Sequence, residues 1–123
     1  MNKQYYADML RNGRMFFYKH NGKLICIITY YIGIELDENR FIRDNPWEVV
    51  EDNPNGSICY IDHCIANKIL DNKVLSFKAY SAFKKHIISI YPNVGLIRWN
   101  RFKNNKVFIH KEVLHEGIQS QVS

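Results

Sequence analysis

Ile58-Cys59-Tyr60-Ile61-Asp62-His63-Cys64-Ile65-Ala66 is the stretch that decides the fold. β-branched and aromatic residues dominate it, as in a strand, yet an aspartate and a histidine stand in its middle. A carboxylate at a strand centre is costly to bury unless something pairs with it. Asp62 therefore either borders a cleft or has a cation partner. After this strand come a linker rich in Asn, Asp and Lys, one long amphipathic segment and a hairpin pattern.

The segment that follows carries Phe77, Tyr80, Phe83, Ile87 and Ile90 at three- and four-residue intervals, a core stripe for a helix over 72–90. Lys78, Ser81, Lys85 and Ser89 lie opposite, and Pro92 marks the end. Residues 94–101 read as a strand, Lys103-Asn104-Asn105-Lys106 as a tight turn, and 107–113 as the last strand. A strand–helix–strand crossover is right-handed, so 58–66 and 94–101 are expected as parallel neighbours with the helix packed on their sheet.

Upstream, residues 4–11 form a short helix with Tyr5, Met9 and Tyr6 turned inward. Met15-Phe16-Phe17-Tyr18 is a strand, and Asn21-Gly22 is a type I′ hairpin signal because both residues tolerate positive φ. Residues 24–34 make a return strand apolar enough to be covered on both faces. Segment 35–57 is irregular, holds two of the three prolines and repeats Asp-Asn-Pro at 44–46 and 52–54. Its first repeat reads as a helix start, with Asn45 as N-cap, Pro46 at N1 and Glu48 closing a capping box, which predicts a turn or two across 47–51. A loop of this length is a lid, a partner surface or a plain insertion. The expected order is α–β–β–(irregular)–β–α–β–β: an α+β fold with a single mixed sheet. One domain over 1–123 is expected, with its core at 14–113 and a frayed polar tail at 117–123.

The composition is that of a folded protein, with 46% apolar and 24% charged residues. A net charge of +5 fits an anionic partner such as a nucleotide, a cofactor phosphate or nucleic acid. It equally fits the lysine bias of an AT-rich genome. Three cysteines, Cys26, Cys59 and Cys64, are an odd number set in apolar runs, which points to buried, reduced thiols rather than disulfides. The first 14 residues lack an apolar signal core, and the longest apolar run, 24–34, is about half a membrane span. A soluble, cytoplasmic chain is the expectation.

Cys59, His63 and Cys64 invite a metal reading. Strand alternation puts Cys59 and His63 on one face and Cys64 on the other, and no second Cys or His pair stands at zinc spacing, so no metal is expected. Asp62-His63 opens like an HNH nuclease motif whose later residues are missing. Phosphate loops, serine elbows and dinucleotide fingerprints are absent. Alternation also puts Asp62 with Tyr60 and Cys64, and His63 with Ile61. Asp62 is either the ion-pair partner of Arg98 or Arg101, or a general base raised in pKa by apolar neighbours. His63 is either a half-buried structural histidine or part of the same site. Arg98-Trp99-Asn100-Arg101 interleaves cations with an aromatic, which suits nucleic acid or phosphate, or a strand with one buried face.

A hairpin, a third strand, a long helix starting beside it and a further strand resemble the core of the GNAT superfamily of N-acyltransferases. That resemblance implies an acyl-CoA or acyl-carrier donor and an amine acceptor. It sets pantetheine against the splayed strand at Cys64, Ile65, Ala66 and Asn67, whose N–H groups would hold the developing oxyanion. The pyrophosphate would meet the helix start at Leu70, Asp71, Asn72 and Lys73. The chain is also similar to the RTX toxin-activating lysine acyltransferases in Ile61-Asp62, in a helix ending before a proline, and in Ile97-Arg98. That likeness implies a catalytic Asp62, here with His63 beside it. The upstream histidine of that branch has no counterpart, since His20 falls in the hairpin turn. The glycine-containing pyrophosphate signature and the late helix with its tyrosine acid are also absent. Arg98, Asn100 and Arg101 would face the acceptor or a partner. The alternative is a non-catalytic module on the same fold, such as mobile elements encode. It would use Arg98, Arg101 and segment 35–57 to engage a protein or nucleic acid.

Overall fold

The computed structural model describes residues 2–70, 72–103 and 106–114, and of residue 38, residues 100–103 and residues 106–111 the backbone alone. Asp71 and the tail expected at 117–123 lie outside the described residues.

β1 (Met15–His20) turns into β2 (Lys23–Gly33) through Asn21 and Gly22, whose φ of +52° and +76° make the primed turn that matches strand twist. β3 (Ile58–Ala66) pairs antiparallel with β2. The chain then crosses through α3 (Lys73–Ile90) to β4 (Leu96–Lys103), which pairs parallel with β3, and returns in β5 (Lys106–Val113). The sheet runs β1-β2-β3-β4-β5. It is the mixed α+β architecture read from the sequence, with the expected strand–long helix–parallel strand core.

Alternation along β2 supplies both faces of the core. Cys26, Ile28, Tyr30 and Ile32 join Cys59 and Ile97 under Ala79, Phe83 and Ile87 of α3. On the other face Tyr31, Ile58 and Tyr60 pack with Phe41 and with Tyr5 and Met9 of α1 (Lys3–Arg11). The expected stripe of α3 is corrected in part. Its buried row steps by four through Ala79, Phe83 and Ile87, whereas Phe77 is 73% and Ile90 50% exposed. Phe77, six residues before Phe83, lies about 120° round the helix from it.

Segment 35–57 covers the α1 face and differs from its expected form. Helical turns fall early, at Glu35–Asp37 and in α2 (Glu38–Phe41), and 47–51 is not helical. Asn45 does accept from the Trp47 N–H at 3.1 Å, as a turn cap. The segment's backbone groups find partners outside a helix: the Arg43 guanidinium donates to the carbonyls of Pro46 at 3.0 Å and Glu48 at 2.7 Å, and the Val50 N–H donates to the Tyr31 hydroxyl at 3.2 Å. Asp52 pins the far end. It takes Arg14 Nε at 2.6 Å and Nη2 at 3.0 Å, and the Ile32 N–H at 2.7 Å.

Among the described residues no helix is long and apolar enough to cross a membrane. The three thiols form no disulfide with one another; Cys26 and Cys59 are buried, but Cys64, expected to be buried, is exposed. Among the described residues no group of three or more His, Cys, Asp or Glu is placed to hold a metal ion.

Candidate functional site

The pairing of β2 with β3 slips at one point. Thr29 faces His63 and Tyr30 faces Ile61, so Asp62 is an extra residue. Such a bulge breaks strict alternation. It corrects the facing read from the sequence: Asp62 and His63 both emerge on the α1 side, and Cys64 turns toward α3 instead of sharing the face of Asp62. Cys59 lies in the α3-side core and does not share a face with His63. The hydroxyl of Thr29, itself fully buried, fills the slip by accepting the His63 N–H at 3.0 Å.

Asp62 is enclosed by three donors. Arg43 Nη1 donates to Oδ1 and Nη2 to Oδ2, each at 3.0 Å, and the Tyr5 hydroxyl donates to Oδ2. Both charged side chains are 9% exposed. The partner of Asp62 is therefore Arg43, not Arg98; the side chain of Arg101, the other expected partner, lies outside the described residues. Arg98 instead reaches Glu35 at 3.1 Å. Burial, the largest single effect, pulls the Arg43 pKa down, but the hydrogen bond and charge of Asp62, with smaller contributions from Tyr31 and Tyr5, together outweigh it and the net shift is upward. Burial, then the Asp62 charge, raise the Tyr5 phenol far above its ordinary value, so it stays a donor. His63 stacks on Trp47 with ring centroids 4.1 Å apart and planes 6° from parallel. Its Nε2 lies 2.7 Å from the Pro46 carbonyl, which can only accept, so Nε2 carries the proton.

β3 and β4 stay paired only over Ile58–Ile61 with Leu96–Trp99; beyond that β3 keeps β2 alone as its neighbour. Two clefts open at this parting and share Ile61 and Trp99 as walls. One, toward the α1 face, is bordered by Asp62, Arg98, Tyr31 and Phe41. The other, about 270 Å³, runs under α3 between Cys64 and Ala66 on one side and Ser76, Ala79 and Tyr80 on the other. Past the strand, Asn67 donates its N–H to Ile25 and caps a turn through Ile69, and Asn72 caps α3 by accepting from the Leu75 N–H at 2.9 Å.

The structure thus brings Asp62, His63 and Arg98 near the parting from the α1 side, and Cys64 and Ala66 from the α3 side. Ile65 is 44% exposed, pairs with Ile27 and borders a separate hollow beside Leu24. Leu70, Asn72 and Lys73 lie at the start of α3. The side chains of Asn100 and Arg101 are outside the described residues. Sequence reasoning missed Arg43, Tyr5, Thr29 and Trp47. The cost of a strand-centre carboxylate did announce a cation, but nothing in the sequence chose among 17 lysines and arginines.

No protein-family model matches the chain, and no curated protein matches it. A solved structure described as an acetyltransferase superposes with a TM-score of 0.47 at 16% identity, over 76% of this chain and 53% of that one. The chain spans about half the length of that structure.

Proposed function

We propose that the chain is a small GNAT-like acyltransferase that takes an acyl group from acyl-CoA and delivers it to an amine. The observation that carries this reading is the parting of β3 from β4 between two clefts that share Ile61 and Trp99. A donor approaching under α3 and an acceptor approaching from the α1 side would meet there.

On the donor side, the walls formed by Cys64, Ala66, Ala79 and Tyr80 fit the slender, largely apolar pantetheine arm, with Asn67 at its outer end. The first turn of α3 offers N–H groups and dipole to phosphate, with Leu70, Asn72 and Lys73 described around it and Lys68 exposed nearby. No glycine stands there, so phosphate would be held by side chains more than by close backbone approach. Acyl-CoA, when bound, supplies an activated thioester carbonyl.

On the acceptor side, a carboxylate has about four lone-pair sites, and Asp62 uses three on Arg43 and Tyr5. The fourth is available toward the cleft that Asp62 borders, where it would accept the amine proton directly or through water. Arg43 and Tyr5 hold the carboxylate in place. His63, next to Asp62, is held by its stack on Trp47 and by Nε2 at the Pro46 carbonyl. A specific observation favours the second reading, a non-catalytic module: the Arg43–Asp62 pair is a complete structural contact by itself.

Thermal denaturation with CoA, acetyl-CoA and longer acyl-CoAs tests donor binding, because a ligand at 100 times its dissociation constant adds about 2.7 kcal/mol. CoA release in the presence of polyamines and lysine peptides tests transfer. A protein that gains no stability and releases no CoA would leave only the binding-module reading.

A further inference from the structure

The outer face of α3 is unusual for a surface helix. Its sequence, KVLSFKAYSAFKKHIISI, holds four lysines and no carboxylate. Lys84 pairs with Glu112 at 3.1 Å, while Lys73, Lys78 and Lys85 stand exposed. The same face and the turn before it present three large apolar side chains: Ile69 is 93%, Phe77 73% and Val74 63% exposed. Val74, nine residues before the buried Phe83, points away from the sheet. Phe77 follows it at i+3, and Lys73 and Lys78 flank the pair on neighbouring positions. Single exposed hydrophobes are ordinary, but apolar groups gathered at one end of a basic helix mark a contact surface.

The charge decides the occupant. A second copy of this chain would bring lysines against lysines, and the whole molecule is at +5. Nucleic acid would satisfy the lysines, yet it would leave Ile69 and Val74 without the stacking that only a flat ring offers. An anionic bilayer satisfies both sets, since aliphatic and aromatic side chains enter the interface while lysines reach headgroup phosphates. We propose that the α3 end of this protein docks on an anionic lipid surface, with Ile69, Val74 and Phe77 inserted and Lys78 and Lys85 on the headgroups. Docking of this kind does not depend on acyl transfer.

The test is flotation with vesicles of phosphatidylcholine alone and of phosphatidylcholine mixed equally with phosphatidylglycerol. Binding is expected to the mixed vesicles, to fall as salt is added, and to be slight on the neutral ones. Lys78→Gln and Lys85→Gln should each lower partitioning about fivefold. Ile69→Ser, Val74→Ser and Phe77→Ser together should lower it more than about tenfold. These side chains are exposed, so the variants should melt like the parent; Phe77→Ser alone gives the same readout if the triple variant does not fold. No binding to the mixed vesicles, equal binding to both kinds, or undiminished binding by the serine variants would each overturn the proposal. Stabilisation by acyl-CoA, measured on the same samples, reports on the acyltransferase reading separately.

Discussion

Arg43 grips both carboxylate oxygens of Asp62, each at 3.0 Å, and so ties segment 35–57 to the bulge of β3. The same guanidinium takes the carbonyls of Phe41, Pro46 and Glu48, so one side chain both folds residues 41–48 and fastens them to the bulge. Removing it would leave a buried carboxylate uncompensated. Arg43→Ala should cost roughly 3–5 kcal/mol, read from urea denaturation, and should make residues 42–50 the first site of limited proteolysis. A variant as stable as the parent would show that the pair does not hold the segment.

Asp62→Asn separates chemistry from structure when combined with a change at Arg43. Asp62→Asn alone should be destabilising, because it leaves a buried cation facing an amide. Asp62→Asn with Arg43→Gln should lose less stability than the two single losses added, since neither charge is stranded. Turnover should stay down by about 10²–10⁴-fold wherever Asp62 is Asn, and should persist in folded Arg43→Gln. Full activity in any Asp62→Asn background would end the general-base assignment.

His86 gives the protein an acid-sensitive contact. Burial against the sheet, where its ring lies 5.1 Å from that of Phe16, lowers its pKa from the ordinary 6.5. The unfolded chain then binds the proton more readily than the folded one. The neutral ring carries no penalty above pH 6.5, and its burial turns destabilising as pH falls below that value. Stability measured between neutral and mildly acidic pH should fall less steeply for His86→Gln than for the parent; parallel curves would refute the assignment.

Gly56 is required by the neighbouring backbone. A Cβ there would lie 2.3 Å from the carbonyl oxygen of Gly33, at the end of β2, where no side chain can yield. Gly56→Ala should cost about 1–3 kcal/mol by overpacking. Gly95 meets nothing within 4 Å, so Gly95→Ala should be neutral or stabilising by up to about 1 kcal/mol through the unfolded chain. Denaturation curves of the two variants decide this, and equal effects at both positions would contradict the close approach of Gly56 to β2.

Local rules carried much of the fold. The Asn21-Gly22 turn, α1 with Tyr5 and Met9 inward, the doubly covered β2, the long helix before Pro92 and the parallel crossover from β3 to β4 all follow from periodicity, turn chemistry and connection length. These depend on residues close in sequence, and their physics is complete at that range. The candidate site was legible only as a demand: a carboxylate in a strand must be paired or half-exposed. Which cation answers it was decided by tertiary structure, because Arg43 reaches Asp62 only after segment 35–57 has folded over the α1 face. The bulge was hidden for the same reason. One extra residue in β3 has no local signature, yet it turns Asp62 and His63 to a common side and sends Cys64 to the other. The outward turn of Phe77 likewise awaited packing, since a three- and four-residue stripe fixes a helix but not which edge of its apolar arc meets the sheet.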